Sequence, residues 1–268
     1  DKMGVDVMRW LYCNHKPEND LLFGYHRGDE ARRAFLIPLW NVYSFFVTYA
    51  NLDGWSPAAN GSQALPEGPT PQSANMLDRW VLARLNEIIP AVTDGLQNSD
   101  PLNASAALGE FLDDLSNWYV RRSRRRFWKS ETDADKNDAY ATLYHVLVKF
   151  ARLLAPFTPF ISEAIYQNLV CSVSTQAYGT VHATAWPKYD EAAVDRSLLD
   201  QMALARQVAS LGLAARNAAG LKVRQPLGRA MAFAGEDRAL DPEFVEIITA
   251  ELNVKSFEFV ETAGQLVT

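Results

Sequence analysis

Cysteine is nearly absent from this 268-residue chain. Cys13 and Cys171 lie far apart and outside any Cys-x-x-Cys or Cys/His spacing, which argues against a disulfide framework and a zinc site and fits a reduced, cytoplasmic setting. The four histidines, His15, His26, His145 and His182, are scattered without carboxylates at ligand spacing, so no metal is assigned. No apolar run approaches the roughly 20 residues that span a bilayer. Residues 1–20 lack the layout of a secretory signal, so no membrane partner is expected. No glycine-rich phosphate loop and no nucleophile–base pair appears, which leaves a free-standing enzyme the weakest reading. The chain starts in mid-pattern with Asp1-Lys2-Met3-Gly4 and is read as a piece of a longer protein.

What is present is helical periodicity. Leu36, Trp40, Tyr43 and Val47 recur at three to four residues, as do Leu77, Val81, Leu85, Ile88 and Val92. A longer stripe runs through Ala104, Leu108, Phe111, Leu112, Leu115, Trp118 and Tyr119, opened by Asp100-Pro101 as cap and first-turn proline. Tyr140, Leu143, Tyr144, Leu147, Ala151 and Leu154 form the next. Pro156 should stop that helix and Thr158-Pro159 start another carrying Ile161, Ile165 and Leu169, with the phenylalanines of the turn buried. A last long helix through Leu198, Met202, Ala209 and Leu213 should end near Gly220.

Residues 53–75 hold four prolines and three glycines and read as a loop or linker. Beyond Val223 the pattern becomes a strand at 231–233, a short helix opened by Asp241-Pro242, and a strand at 254–260 in which Phe257 and Phe259 alternate with Ser256 and Glu258. The expected fold is mainly α: an antiparallel helix bundle over 76–220, preceded by a region at 1–52 and followed by a small α/β unit at 221–268.

The chain carries a formal net charge of −6, yet residues 121–126 hold five arginines, flanked by Trp118, Tyr119, Phe127 and Trp128. Guanidinium suits phosphate, and phosphate contacts supply most nucleic-acid affinity. At about 100° per residue, the apolar stripe continues through Arg122, Arg126 and Lys129 and leaves Arg121, Arg124 and Arg125 outside. Arg122 then takes a structural role, because buried charge must be paired. The outer three are a solvated face or phosphate contacts, and their density without interleaved acids favours phosphate. Trp118 and Tyr119 belong to the core. Phe127 and Trp128 point off the stripe, either packing on a neighbouring helix or offering faces to unstacked bases; Lys129 joins them as a candidate. Lys222 and Arg224 flank Val223 at strand spacing and could touch RNA from one side or pair structurally. Asp113 and Asp114 diverge by about 100°, so they read as solvent-facing acids, one of which could pair with a stripe arginine.

Several of these segments resemble one family. Asn117-Trp-Tyr-Val-Arg-Arg-Ser-Arg-Arg-Arg-Phe-Trp128 resembles the helix-bundle segment of isoleucyl-tRNA synthetases. Leu154-Ala-Pro-Phe-Thr-Pro-Phe160 is similar to the Pro-Phe-x-Pro-Phe turn of the class Ia synthetases for isoleucine, valine and leucine, with Pro156 and Pro159 structural. Leu77-Asp-Arg-Trp-Val-Leu82 resembles the helix that opens the bundle, and Trp40-Asn-Val-Tyr-Ser-Phe-Phe46 one just before it. Gly4-Val-Asp-Val-Met-Arg-Trp10 is similar to the stretch after the catalytic KMSKS loop, and Lys222-Val-Arg-Gln-Pro-Leu227 to a segment after the bundle. The six occur in the family's order from Gly4 to Leu227, whereas residues 228–268 match less distinctively.

The resemblance implies an anticodon-binding bundle from an isoleucine–tRNA ligase, with residues 1–52 contacting the stem and 53–75 linking. Its partner would be tRNA(Ile), held by Arg121, Arg124, Arg125, Phe127, Trp128, Lys129, Lys222 and Arg224. No His-x-Gly-His or KMSKS motif and no sign of an editing domain is present. ATP and Mg2+ are therefore expected for the parent enzyme and no cofactor for this piece, which alone should be inactive. The catalytic and editing domains would be further partners within one polypeptide, and a monomer is expected. The alternatives are the same region of a valine or leucine enzyme, or a helical module that binds an acidic protein surface without RNA.

Overall fold

The computed structural model describes residues 3–57, 71–129, 133–174, 177–233, 235 and 240–260. They form two compact units that divide between Val194 and Asp195. Most of the expected linker, residues 58–70, lies outside the described residues.

The first unit is helical. It comprises α1 (Val5–Cys13), α2 (Tyr25–Ala31), α3 (Ile37–Asp53), α4 (Met76–Gln97), α5 (Pro101–Asp113), α6 (Arg121–Trp128), α7 (Ala134–Leu154) and α8 (Pro159–Tyr166). Asn75 caps α4 by accepting from Leu77 N, Asp100 caps α5 ahead of Pro101, and Asp133 caps α7 through Lys136 N. The α4–α5 turn is tight because Gly95 has no Cβ: one there would sit 2.8 Å from the Ala104 Cβ. α7 is buried around most of its circumference and is the central helix.

Two expectations about apolar faces shift. The buried residues of α3 are Leu39, Val42, Tyr43, Phe46 and Ala50: Leu36 and Tyr43 are buried as expected, but Leu39 and Phe46 take the places expected of Trp40 and Val47, and Trp40 is 45% exposed. In the proline turn Phe157 is buried, but Phe160 is 65% exposed. That turn is held from a distance by α1. Thr158, the N-cap of α8, makes no side-chain cap bond. Instead the Asp6 carboxylate accepts from Ile161 N at 2.7 Å and Phe160 N at 3.2 Å, while Arg9 donates to the carbonyls of Phe157 (3.1 Å) and Pro156 (2.5 Å). One short helix thus satisfies the free carbonyls after α7 and the free amides opening α8. Trp10 completes the seam, stacked 3.5 Å from Phe35 and edge-on to Phe157.

The second unit is α9 (Arg196–Ala218), β1 (Leu227–Ala232), α10 (Pro242–Leu252) and β2 (Val254–Phe259). The last long helix, grouped with the bundle by its periodicity, therefore counts with the small unit. It ends near Gly220 as expected, with Gly220 at φ 69°. β1 and β2 pair in parallel, Leu227 opposite Val254 and Ala232 opposite Phe259, with α10 as the crossover. Gly212 lets α9 approach α10, since a Cβ there would meet Leu252 Cδ2 at 2.5 Å. An apolar cavity of about 760 Å³ lies within this unit, lined by Val208, Leu211, Ala230 and Phe257 among others.

Asp6→Ala removes both acceptor bonds at the start of α8. It should cost about 1 kcal/mol, the usual loss for a helix N-terminal acceptor, read as a lower Tm with unchanged helical circular dichroism.

Candidate nucleic-acid interface

The arginine run lies in one continuous helical stretch from Pro101 to Trp128 that is not α throughout. Between α5 and α6, residues Asp114–Val120 form a π-helical segment. A π turn inserts one residue into the helical repeat, which rotates everything beyond it by about 100°. The inward face after the insertion is therefore Val120, Ser123, Arg126 and Phe127; of the expected inward positions Arg126 is kept, whereas Arg122 and Lys129 are not.

Phe127 is 1% exposed, edge-on to Phe45 at 5.1 Å and Tyr140 at 5.0 Å. Packing therefore claims it, and it has no face left for a base. Arg122 is only half-buried, with its guanidinium 5.4 Å over the Trp118 ring. Trp118 and Tyr119 are core, as expected. Asp114 also turns inward: it is buried and accepts from Arg84 Nε at 2.8 Å, while Asp113 accepts from Asn117. An acid does pair with an arginine, but with Arg84 of α4 and not with an arginine of the stripe, and through a buried carboxylate.

The structural arginine is Arg126. Its Nη1 and Nη2 donate to the two oxygens of Asp78, each at 2.7 Å, and Nη2 also reaches the Asp135 carbonyl (3.0 Å) and carboxylate (2.8 Å). Asp78 is fully buried and further accepts from Tyr119 Oη at 2.7 Å and Ser73 Oγ at 2.6 Å. Burial and then the Asp78 charge push the Tyr119 hydroxyl well above its ordinary pKa. Burial works against the Arg126 cation, but the bonds and charge of Asp78 outweigh it and hold its pKa raised. Sequence reasoning missed this site; its one signal was an acid, Asp78, inside an apolar helix pattern.

A second buried cation secures the end of α6. Lys136 Nζ pairs with Asp53 at 2.6 Å and donates to the carbonyl of Lys129, the C-cap of α6, at 2.6 Å. Tyr140 Oη also donates to Asp53.

Three of the expected contact residues, Arg121, Arg124 and Arg125, are exposed on α6. Arg121 donates to the Asn117 carbonyl at 2.8 Å and lies 5.7 Å over Trp118. Arg124 and Arg125 make no ion pair among the described residues. Trp128 is 55% exposed beside them. Lys129 is also exposed, but its ammonium sits 3.2 Å from Asp133 and 3.1 Å from Asp135, which raise its pKa. Among the described residues, Arg124 and Arg125 are thus the exposed cations of α6 without an ion-pair partner, at the C-terminal turn where the helix dipole favours cations.

Lys222 and Arg224 belong to the second unit and lie in a turn closed by Gln225 N donating to Lys222 O at 3.0 Å, not in a strand. Both are exposed. Among the described residues no cluster of three or more His, Cys, Asp or Glu could hold a metal ion, and no helix is long and apolar enough to cross a membrane.

A model of the anticodon-binding domain of tRNA ligases matches residues 78–231, more than half of the chain. The chain belongs to that family. The isoleucine–tRNA ligase of Dehalococcoides mccartyi is 47% identical over 100% of this chain and 26% of its own length. That of Thermus thermophilus is 43% identical over 100% of this chain and 25% of its own, and that of Streptomyces avermitilis 40% identical over 100% and 24%. The resemblance read from the six motifs thus agrees with the relatives found, and the chain spans about a quarter of their length. Among solved structures, the ternary complex of Agrobacterium radiobacter K84 agnB2 LeuRS-tRNA-LeuAMS aligns with 72% of this chain and 20% of that one, at 21% identity and a TM-score of 0.49, too distant to bear on function.

In this anticodon-binding domain, Arg126→Met leaves Asp78 buried without its main partner and should cost about 3–5 kcal/mol. Arg122→Ala removes a cation–π contact worth about 1 kcal/mol or less. Equal losses in chemical denaturation would refute this division.

Acid should also unfold the domain. Burial opposes ionisation of Asp135 and Asp53, but donors from Arg126 and Lys129, and from Lys136 and Tyr140, outweigh it and hold both below the usual range. With a folded pKa under the unfolded value near 3.9, each contributes fully above that value and loses its contribution as pH falls through the folded pKa. The Tm should drop below about pH 4, and more shallowly in Asp135→Asn. Parallel acid profiles for the two proteins would contradict the assignment.

Proposed function

We propose that this chain is the anticodon-binding region of an isoleucine–tRNA ligase and that α6 grips the anticodon stem-loop of tRNA(Ile). One observation carries the reading: in a member of the anticodon-binding family, Arg124 and Arg125 face solvent with no acid partner among the described residues, on a helix whose rotation a buried ion pair fixes. Phosphate contacts of this kind set position and register, not sequence. Arg121 extends the cationic edge, and Trp128 offers the open aromatic face on which an unstacked anticodon base could lie. Lys129, already neutralised by two aspartates, contributes less.

The parent enzyme would be a cytoplasmic monomer joining isoleucine to its tRNA with ATP and Mg2+, its catalytic and editing parts elsewhere in the polypeptide. The ATP and Mg2+ sites would lie in the catalytic part, and this region would hold no cofactor of its own. Alone, this region binds and positions RNA without activating an amino acid. Residues 1–52 would lie along the stem.

Binding of tRNA(Ile) across a salt series tests this. Arg124→Glu with Arg125→Glu should weaken binding about tenfold or more at low salt, and flatten the log–log salt slope by about 1.4–1.8, since each neutralised phosphate contributes about 0.7–0.9. Circular dichroism should not change. Wild-type affinity in that variant would remove α6 from the interface.

A further inference from the structure

A second buried arginine organises the other basic segment. Arg216, near the end of α9, is 5% exposed and finds no carboxylate among the described residues. Its Nη2 donates to the carbonyls of Lys222 and Gln225, both at 2.5 Å, and its Nη1 to Leu252 O at 3.2 Å. The Arg216 carbonyl accepts from Leu221 N at 2.8 Å, and Gly220 N donates to Asn217 O at 3.0 Å, with Gly220 left-handed at φ 69°. This double closure ends a helix and fixes the exit of the chain. Asn253, itself left-handed at φ 49°, donates from Nδ2 to Val223 O at 2.9 Å.

The carbonyls of Lys222, Val223 and Gln225 are therefore all spent inward, and the side chains of Lys222, Val223 and Arg224 face solvent. Neither Lys222 nor Arg224 makes an ion pair among the described residues. The surrounding sequence has the same bias: from Gln201 to Gly235 there is no Asp or Glu, but there are Arg206, Arg216, Lys222, Arg224 and Arg229. Of these, Arg229 is engaged by Glu258. A buried cation held only by carbonyl dipoles is a poor stabilising device, because its desolvation is not offset by an opposite charge. What it does accomplish is to hold the turn that carries two exposed cations in one backbone conformation. Such preorganisation lowers the entropy lost on binding an anion.

We propose that the Lys222–Gln225 turn is a second contact for the RNA phosphate backbone, separate from α6, and that Arg216 is its positioning residue. This rests on the tRNA-binding reading above and deepens it.

The test is tRNA(Ile) binding by the 268-residue chain over a salt series, comparing Lys222→Ala with Arg224→Ala, Arg124→Glu with Arg125→Glu, and Arg216→Gln. Removing the two turn cations should weaken binding about tenfold at low salt and flatten the salt slope by about 1.4–1.8, with Tm unchanged because both are exposed. Arg216→Gln should reproduce that slope change, and combining it with the turn pair should add nothing, as expected for residues acting through one element. Wild-type affinity and slope in the turn pair, while the α6 pair weakens binding, would overturn the second contact and leave the tRNA reading standing. Additive effects of Arg216→Gln and the turn pair would overturn its positioning role. A wild-type chain that binds no tRNA would sink both readings. The turn pair decides the matter even if Arg216→Gln unfolds the second unit.

Discussion

The first unit is organised around a carboxylate that has no access to water. Asp78 would be untenable in the core without donors, and it has four: two from Arg126, one from Tyr119 and one from Ser73. Each comes with a demand on geometry. Arg126 meets Asp78 from an edge of α6 that also carries Phe127, and the π-helical segment before α6 brings Phe127 to that inward side. With Arg126 fixed inward, Phe127 must enter the aromatic cluster with Phe45 and Tyr140, and Arg124 and Arg125 must face out. The direction of the exposed charge is thus a consequence of where the buried charge is paired.

Three arginines are buried among the described residues, Arg126, Arg152 and Arg216, and the first and last are spent differently. Arg126 is neutralised by Asp78 and Asp135, so it locks helices together and leaves no field at the surface. Arg216 is held by three carbonyls and meets no carboxylate among the described residues, beneath an exposed turn. The same side chain serves packing in one case and presentation in the other, because guanidinium offers five donors that match either acceptor. This local arrangement allows a chain of net charge −6 to offer cationic surfaces to a polyanion.

The short helix α1 shows a third use of charge. Asp6 and Arg9 are three residues apart and so share a helix edge, where one meets free amides and the other free carbonyls around the Pro156–Phe160 turn. The prolines break the helix, as their chemistry requires, and the breakage creates the unsatisfied groups that α1 fills. The turn alone suggested two buried phenylalanines. Phe157 is needed against Trp10, whereas Phe160 sits on the outward side of the restarted helix.

The sequence by itself determined the mainly helical class, the cap at Asp100, the proline break, and the exposure of Arg121, Arg124 and Arg125. These follow from local rules: periodicity, capping and a charge run too dense to bury. The six ordered motifs carried the family as well. Tertiary structure decided which arginine goes inside and which aromatic stays out. A π insertion shifts the helical phase by one residue without any mark in a 3.6-residue pattern, so Phe127 and Ser123 replaced the inward positions expected for Arg122 and Lys129. It decided the partners too, because Asp78 and Arg126 are 48 residues apart in sequence and Arg216 and Leu252 are 36 apart. Periodicity shows that a charge faces inward, but only the packed chain supplies the group that it meets there.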